Sequence, residues 1–207
     1  MSVVLHFIDI LGTFIFALSG AVAGVKKGFD VFGVFAIAVV TAIGGGVIRD
    51  ICLSATPPAG LASGEYFLVI VLAVLCVFFF QKAILTFSKP GTFFDAIGLG
   101  FFAAFGASKT WHMTGSFQLS VILGCISAVG GGCMRDVLLG KSPLIFTAEI
   151  YASAAIVGAV IEVLGVSGKI SPVLSLWLAI ITCTTIRMLA IKYRIRIPPI
   201  KNSYFHD

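Results

Sequence analysis

The chain has 207 residues, of which 59% are hydrophobic and only 11% charged, and its mean hydropathy is +1.11. Soluble domains carry about 25% charged residues, so a water-soluble fold of this size is excluded and the chain belongs in a membrane. The formal net charge of +5 raises nucleic acid as a partner, but the placement of the cations points elsewhere.

A spanning helix needs about 20 predominantly apolar residues. Seven stretches fit, at residues 5–25, 31–50, 64–81, 92–108, 117–137, 148–166 and 172–191. None shows the two-residue alternation of a transmembrane barrel strand. The predicted fold class is therefore an all-α integral membrane protein with seven transmembrane helices. No cleavable signal peptide is expected, because no basic residue precedes the first run and Lys26 and Lys27 follow it.

With the N-terminus outside, the inner connectors hold Lys26, Lys27, Lys82, Lys89, Lys141, Lys192, Arg194, Arg196 and Lys201, against Lys109 and Lys169 outside. That asymmetry predicts an N-out, C-in topology. The basic tail at 192–207 reads as an anchor on the anionic inner leaflet, and no nucleic-acid partner is expected. Cys52, Cys76, Cys125, Cys133 and Cys183 have no metal-like spacing and read as apolar thiols.

Displaced by 86 residues, the sequence matches itself without a gap. Asp9, Gly12, Phe16, Ala17, Gly20 and Ala21 meet Asp95, Gly98, Phe102, Ala103, Gly106 and Ala107. Ala42, Gly44 to Gly46, Arg49, Asp50, Leu53 and Pro57 meet Ala128, Gly130 to Gly132, Arg135, Asp136, Leu139 and Pro143. Weaker matches of Ile70, Val71 and Val74 with Ile156, Val157 and Val160 extend the pattern. The chain reads as one membrane domain, 1–207, with repeats at about 5–83 and 91–168, a seventh helix at about 172–191, and the tail. Three helices per repeat is an odd number, so the second copy enters from the opposite side and the repeats are inverted, as in transporters. Small residues along the first and fourth stretches, such as Gly20 and Gly106, suit close helix packing in lipid.

Each glycine triplet costs about 1 kcal/mol of helix propensity per residue, and each is followed by an arginine and an aspartate within a membrane span. Buried charges in spans mark function by default. The expectation is that Gly44, Gly45, Gly46 and Gly130, Gly131, Gly132 unwind beside water and line a pathway, because free backbone groups survive in a bilayer only when buried or wetted. Exposed carbonyls there could replace the hydration of a monovalent cation. The competing reading is a groove that lets a neighbouring helix pack closely.

Arg49 and Asp50, being adjacent, point about 100° apart on a helix and are expected to seek other partners. The pairs predicted are Asp9 with Arg49 and Asp95 with Arg135, at two mouths shared with Asp50 and Asp136. These charges could gate the path, clamp helix register, or hold a lipid phosphate bidentately. Glu65 and Glu149 begin the third and sixth stretches, where carboxylates suit the helix dipole. Glu162 and Arg187 lie near span ends, and Tyr66, Trp111, Tyr151 and Tyr193 read as interfacial anchors. His6, His112 and His206 have no metal spacing. The triplets lack the Lys-Ser/Thr of a phosphate-binding loop, and no catalytic constellation is present, so no enzyme and no cofactor is expected.

The duplicated Gly-Gly-Gly-x-x-Arg-Asp phrase on the second and fifth helices of a 3+3+1 chain resembles the prokaryotic trimeric intracellular cation (TRIC) channel family, over essentially the whole chain. The resemblance implies a homotrimer in the bacterial inner membrane with a pore in each subunit, lined by the second and fifth helices and conducting K⁺ and Na⁺. It implies roles for the triplets and for Arg49, Asp50, Arg135 and Asp136. Animal members hold a phosphoinositide with basic residues beside the triplets, where this chain has Ile43 and Val129. The same domain family has bacterial members regarded as glycine transporters, so a small-amino-acid carrier is the rival reading. A lipid-binding or scaffold membrane protein is the third.

Overall fold

A computed structural model describes residues 3–86, 89–147, 150–169 and 171–195. The elements among them are all helical: α1 (Val3–Lys27), α2 (Val31–Cys52), α3 (Ala59–Ala62), α4 (Gly64–Phe79), α5 (Gln81–Thr86), α6 (Pro90–Thr114), α7 (Phe117–Leu138), α8 (Leu144–Thr147), α9 (Ala152–Leu164) with a π-turn (Gly165–Lys169), and α10 (Pro172–Tyr193). Six are long and apolar enough to cross a membrane, namely α1, α2, α6, α7, α9 with its π-turn, and α10. The third predicted stretch, 64–81, is divided: α4 is apolar but has 16 residues, or about 24 Å. The sixth stretch becomes helical at Ala152, and Glu149 lies outside the described residues. The fourth runs on to Thr114 and stops where Gly115 takes φ 61°. Lys109 is thus inside α6, where it is neutralised, rather than in an outer connector.

Local chemistry sets the ends. Asp30 Oδ1 accepts the Gly33 N–H at 2.7 Å and Ser116 Oγ accepts that of Leu119 at 3.3 Å, capping α2 and α7. Such caps contribute about 1 kcal/mol each.

The halves meet through reciprocal contacts. Where α1 crosses α6, Phe16 fills the space over Gly98, Phe101 and Phe102 lie over Gly12, and the Phe16 and Phe102 rings stack 5.2 Å apart. Where α2 crosses α7, Gly45 lies on the Ser127 carbonyl and Gly131 on the Thr41 carbonyl. Each pair of contacts maps onto the other when residues 86 apart are exchanged, which is the signature of a two-fold relation. Within the halves, Gly20 packs on Ala38 and Thr41 of α2, and Gly106 packs on Gly124 and Ser127 of α7.

The register slips in the third helix of each half. Buried Tyr66, Ile70 and Ala73 of α4 correspond to buried Tyr151, Ala155 and Gly158 of α9, an offset of 85. The expected matches of Ile70 and Val71 with Ile156 and Val157 therefore fail, since both later residues are exposed. The cause is a shorter loop. Asp50 binds the amide nine residues on, whereas Asp136 binds the one eight residues on. The unduplicated α10 lies on α6 and α9, seated where Gly100 meets Ile180 and Gly158 meets Cys183.

The triplets do not unwind. Both Gly44–Gly46 and Gly130–Gly132 sit inside unbroken α-helix, so their carbonyls are not released to bind ions. A Cβ on Gly45 or Gly131 would overlap the facing carbonyl oxygen. The missing side chains thus serve a backbone-to-backbone crossing, the groove reading rather than the wetted break. Unwinding in so dry a contact would leave amides and carbonyls unpaired at several kcal/mol each.

Gly45→Ala or Gly131→Ala is expected to lower the thermal midpoint in detergent, at a cost of about 1–3 kcal/mol for overpacking. Gly64→Ala, where a Cβ meets nothing within 4 Å, is expected to leave the midpoint unchanged.

Candidate functional site

One turn beyond the crossing glycine, each helix places its arginine. On α2, Arg49 and Asp50 are 2% and 1% exposed. Arg49 donates from Nε to Asp50 Oδ1 at 2.9 Å and from Nη1 to Ser127 Oγ at 3.2 Å, and its Nη2 is ion-paired with the same Asp50 oxygen at 2.8 Å. Its guanidinium lies 5.0 Å from the Phe105 ring centroid. Lys109 of α6 reaches the same Asp50 oxygen at 2.8 Å, while Asp50 Oδ2 accepts the Ala59 N–H that opens α3. Asp9 accepts a hydrogen bond from Tyr66.

The α7 end repeats the plan with different partners. Arg135 donates from Nε to Asp136 Oδ1 at 2.9 Å and from Nη1 to Asp95 Oδ1 at 2.7 Å and Ser19 Oγ at 2.8 Å, and its Nη2 is ion-paired with Asp136 Oδ1 at 2.9 Å. Asp136 Oδ2 accepts the Leu144 N–H that opens α8, and Tyr151 donates to Asp95 at 3.3 Å. Asp95 is fully buried, and its Oδ2 has no hydrogen-bond partner among the described residues.

The expected Asp95–Arg135 pair is formed. The expected Asp9–Arg49 pair is not: the two side chains line one small cavity, but Arg49 is taken by Asp50, Ser127 and Phe105. The expectation that neighbours Arg49 and Asp50 must part is also overturned, as it is for Arg135 and Asp136. The 100° rule applies to Cβ directions, and three methylenes let an arginine fold back around the last helical turn. Each nitrogen of both guanidinium groups lies within reach of a protein oxygen.

Sequence reading misses five participants. It places Tyr66 and Tyr151 at the interface, yet both are buried on an aspartate; the offset of 85 between them is the available signal. Ser19 and Ser127 carry no motif, and Lys109 lies beyond the predicted helix end. Of the lesser candidates, Glu162 accepts from Ser175 at 3.1 Å, Arg187 lies over the Tyr151 ring at 4.9 Å, and Glu65 is bridged to His6 at 2.9 Å.

The two clusters sit at opposite ends of the bundle and differ in openness. The cavity at the α2 end, lined by Asp9, Gly46, Arg49 and Tyr66, measures about 10 Å³. That at the α7 end, lined by Ser19, Lys26, Lys89, Arg135, Asp136 and Lys141, measures about 230 Å³. A single water needs about 10–15 Å³, so the first holds at most about one water and the second is solvent-sized.

Paired buried ion clusters at both ends of a two-fold glycine crossing define a helical membrane protein built from two related halves. A family profile described as Glycine transporter matches twice, at residues 6–82 and 92–167. The UPF0126 membrane protein YvgT of Bacillus subtilis is 34% identical over 85% of this chain and 88% of its own length. The UPF0126 inner membrane protein YadS of Escherichia coli is 31% identical over 93% and 94%. Among solved structures, the TRIC trimeric intracellular cation channel orthologue from Rhodobacter sphaeroides superposes with a TM-score of 0.88 at 29% identity, covering 94% of this chain and all of that one. A structure described for conductance through TRIC cation channels gives 0.85 at 36%, covering 97% and 98%. The chain belongs to the prokaryotic TRIC family.

Asp95→Asn is expected to destabilise the protein by about 1.5–3 kcal/mol, because it takes the charge out of a buried hydrogen bond from Arg135, which Asp136 still neutralises. Asp9→Asn keeps an acceptor for Tyr66 and strands no ion pair, so its cost is expected to stay below about 1.5 kcal/mol. Thermal denaturation of the two variants in one detergent checks the difference.

Proposed function

We propose that this protein is a channel for monovalent cations, K⁺ and Na⁺, assembled as a homotrimer in which each subunit carries its own pathway beside α2 and α7. The observation that carries this reading is the likeness to TRIC cation channels across almost the whole chain, at up to 36% identity. In this reading α4 with α5 forms the seventh crossing, the two halves are inverted in the bilayer, the N-terminus lies outside and the C-terminus inside. The α2 end then faces outward and the α7 end faces the cytoplasm.

Within that frame each element has a task. The Gly45–Gly131 crossing is the closed middle of the path, and its bare backbones can separate without displacing side chains. At the outer end, Lys109 and Arg49 both hold Asp50, and the cavity beneath them cannot take more than a water. At the inner end the unpartnered Asp95 Oδ2 offers a carboxylate oxygen to a cation that has shed part of its hydration. A carboxylate oxygen of this kind suits passage of monovalent cations.

A second reading, a glycine carrier, is favoured by the description of the family profile. Its substrate, a zwitterion, would find an arginine and an aspartate side by side at either mouth.

Planar-bilayer recording separates the two. Purified protein under a KCl gradient is expected to give unitary currents that reverse near the K⁺ equilibrium potential. Lys109→Met is expected to raise open probability at least severalfold, since it frees Asp50 from one of its two cations. Silent bilayers together with saturable glycine uptake into vesicles would establish the carrier instead.

A further inference from the structure

The two mouths are built from duplicated residues, yet their electrostatics are opposite. Lys109 is the cation that fills the space over Asp50. Its counterpart 86 residues earlier is Ala23, which lines the 230 Å³ cavity over Asp136 and leaves it open. Around that cavity stand Lys26 at the end of α1, Lys89 before α6, and Lys141 after α7. All three are exposed, and none forms an ion pair with a described residue. Their counterparts across the repeat are His112, Val3 and Ala55, so the duplicated fold does not require them. The one carboxylate lining this cavity, Asp136, is already held by Arg135.

We propose that Lys26, Lys89 and Lys141 form an electrostatic ring that lowers the cation concentration at the α7 mouth and makes conduction rectify. The inference rests on the channel reading and adds to it the residues that set rate and direction. Three uncompensated charges lining a solvent-sized cavity act through high dielectric, and at one Debye length, about 10 Å at 0.1 M salt, they change local cation occupancy roughly twofold. Cations entering from this end meet that depletion before the barrier. Those entering from the α2 end meet Lys109 already paired with Asp50. Conductance is therefore smaller for flow from the lysine side.

The test is single-channel recording from protein inserted in one orientation, in symmetrical 0.1 M and 1 M KCl. The wild type is expected to rectify by roughly twofold at 0.1 M and to approach linearity at 1 M, where the Debye length falls to about 3 Å. The triple variant Lys26→Gln, Lys89→Gln, Lys141→Gln is expected to be linear at both concentrations, because flow from the lysine side rises. Trimer elution on size exclusion and protease accessibility of a C-terminal tag verify its assembly and orientation. A correctly oriented trimer that conducts with the wild-type current–voltage relation at 0.1 M overturns the ring while leaving the channel intact. A wild type silent in both polarities removes the channel reading, and the ring with it.

Discussion

The arrangement depends on one contact, the meeting of two helix backbones where Gly45 touches the Ser127 carbonyl and Gly131 touches the Thr41 carbonyl. No other residue fits there, because any Cβ collides with main chain that cannot move aside by rotating a bond. The contact fixes how α2 and α7 cross. That crossing sets where the following turns point, so Arg49 and Arg135 emerge at opposite ends of the bundle, one turn from its tightest place. In lipid, association gains little from the hydrophobic effect and relies on close packing and polar bonds between helices. The crossing and the two ion clusters supply one of each.

The clusters do more than satisfy buried charge. Asp50 and Asp136, each holding the preceding arginine, also accept the first amide of the short helix that follows, α3 or α8. The end of a long helix, the loop beyond it and the arginine are thereby tied to one carboxylate. A change at Asp50 or Asp136 cannot stay local. Lys109 adds a third tie at one end and Asp95 at the other, so a shared scaffold carries two ion clusters with different partners.

Much of this is legible in the sequence, and the failures have physical causes. The membrane class, the helices and the duplication follow from composition and from matches 86 residues apart. The Asp95–Arg135 pair follows from the repeat. The glycines mislead because low helix propensity is a property of isolated segments. Here the cost of three glycines is offset by contacts that only glycine permits, and the sequence does not say which helix will arrive to make them. The Arg49–Asp50 pair is hidden because helix-face geometry ignores the reach of an arginine. Tyr66 and Tyr151 are hidden because a tyrosine near a span end looks the same whether it faces headgroups or an aspartate. The slip to an offset of 85 comes from a loop one residue shorter, too small a change to register in weak matches among aliphatic residues.

In the proposed channel the α2–α7 crossing is dry and shut at rest and must part for ions to pass. This is tested most directly by cysteine accessibility at the crossing itself, with Ser127→Cys in a background lacking the native cysteines. Ser127 is 1% exposed in the closed arrangement. A membrane-impermeant thiol reagent is predicted to leave this position untouched while the protein is closed, and to modify it and block the current while ions flow. Sustained cation flux past an introduced thiol that never reacts would contradict the account.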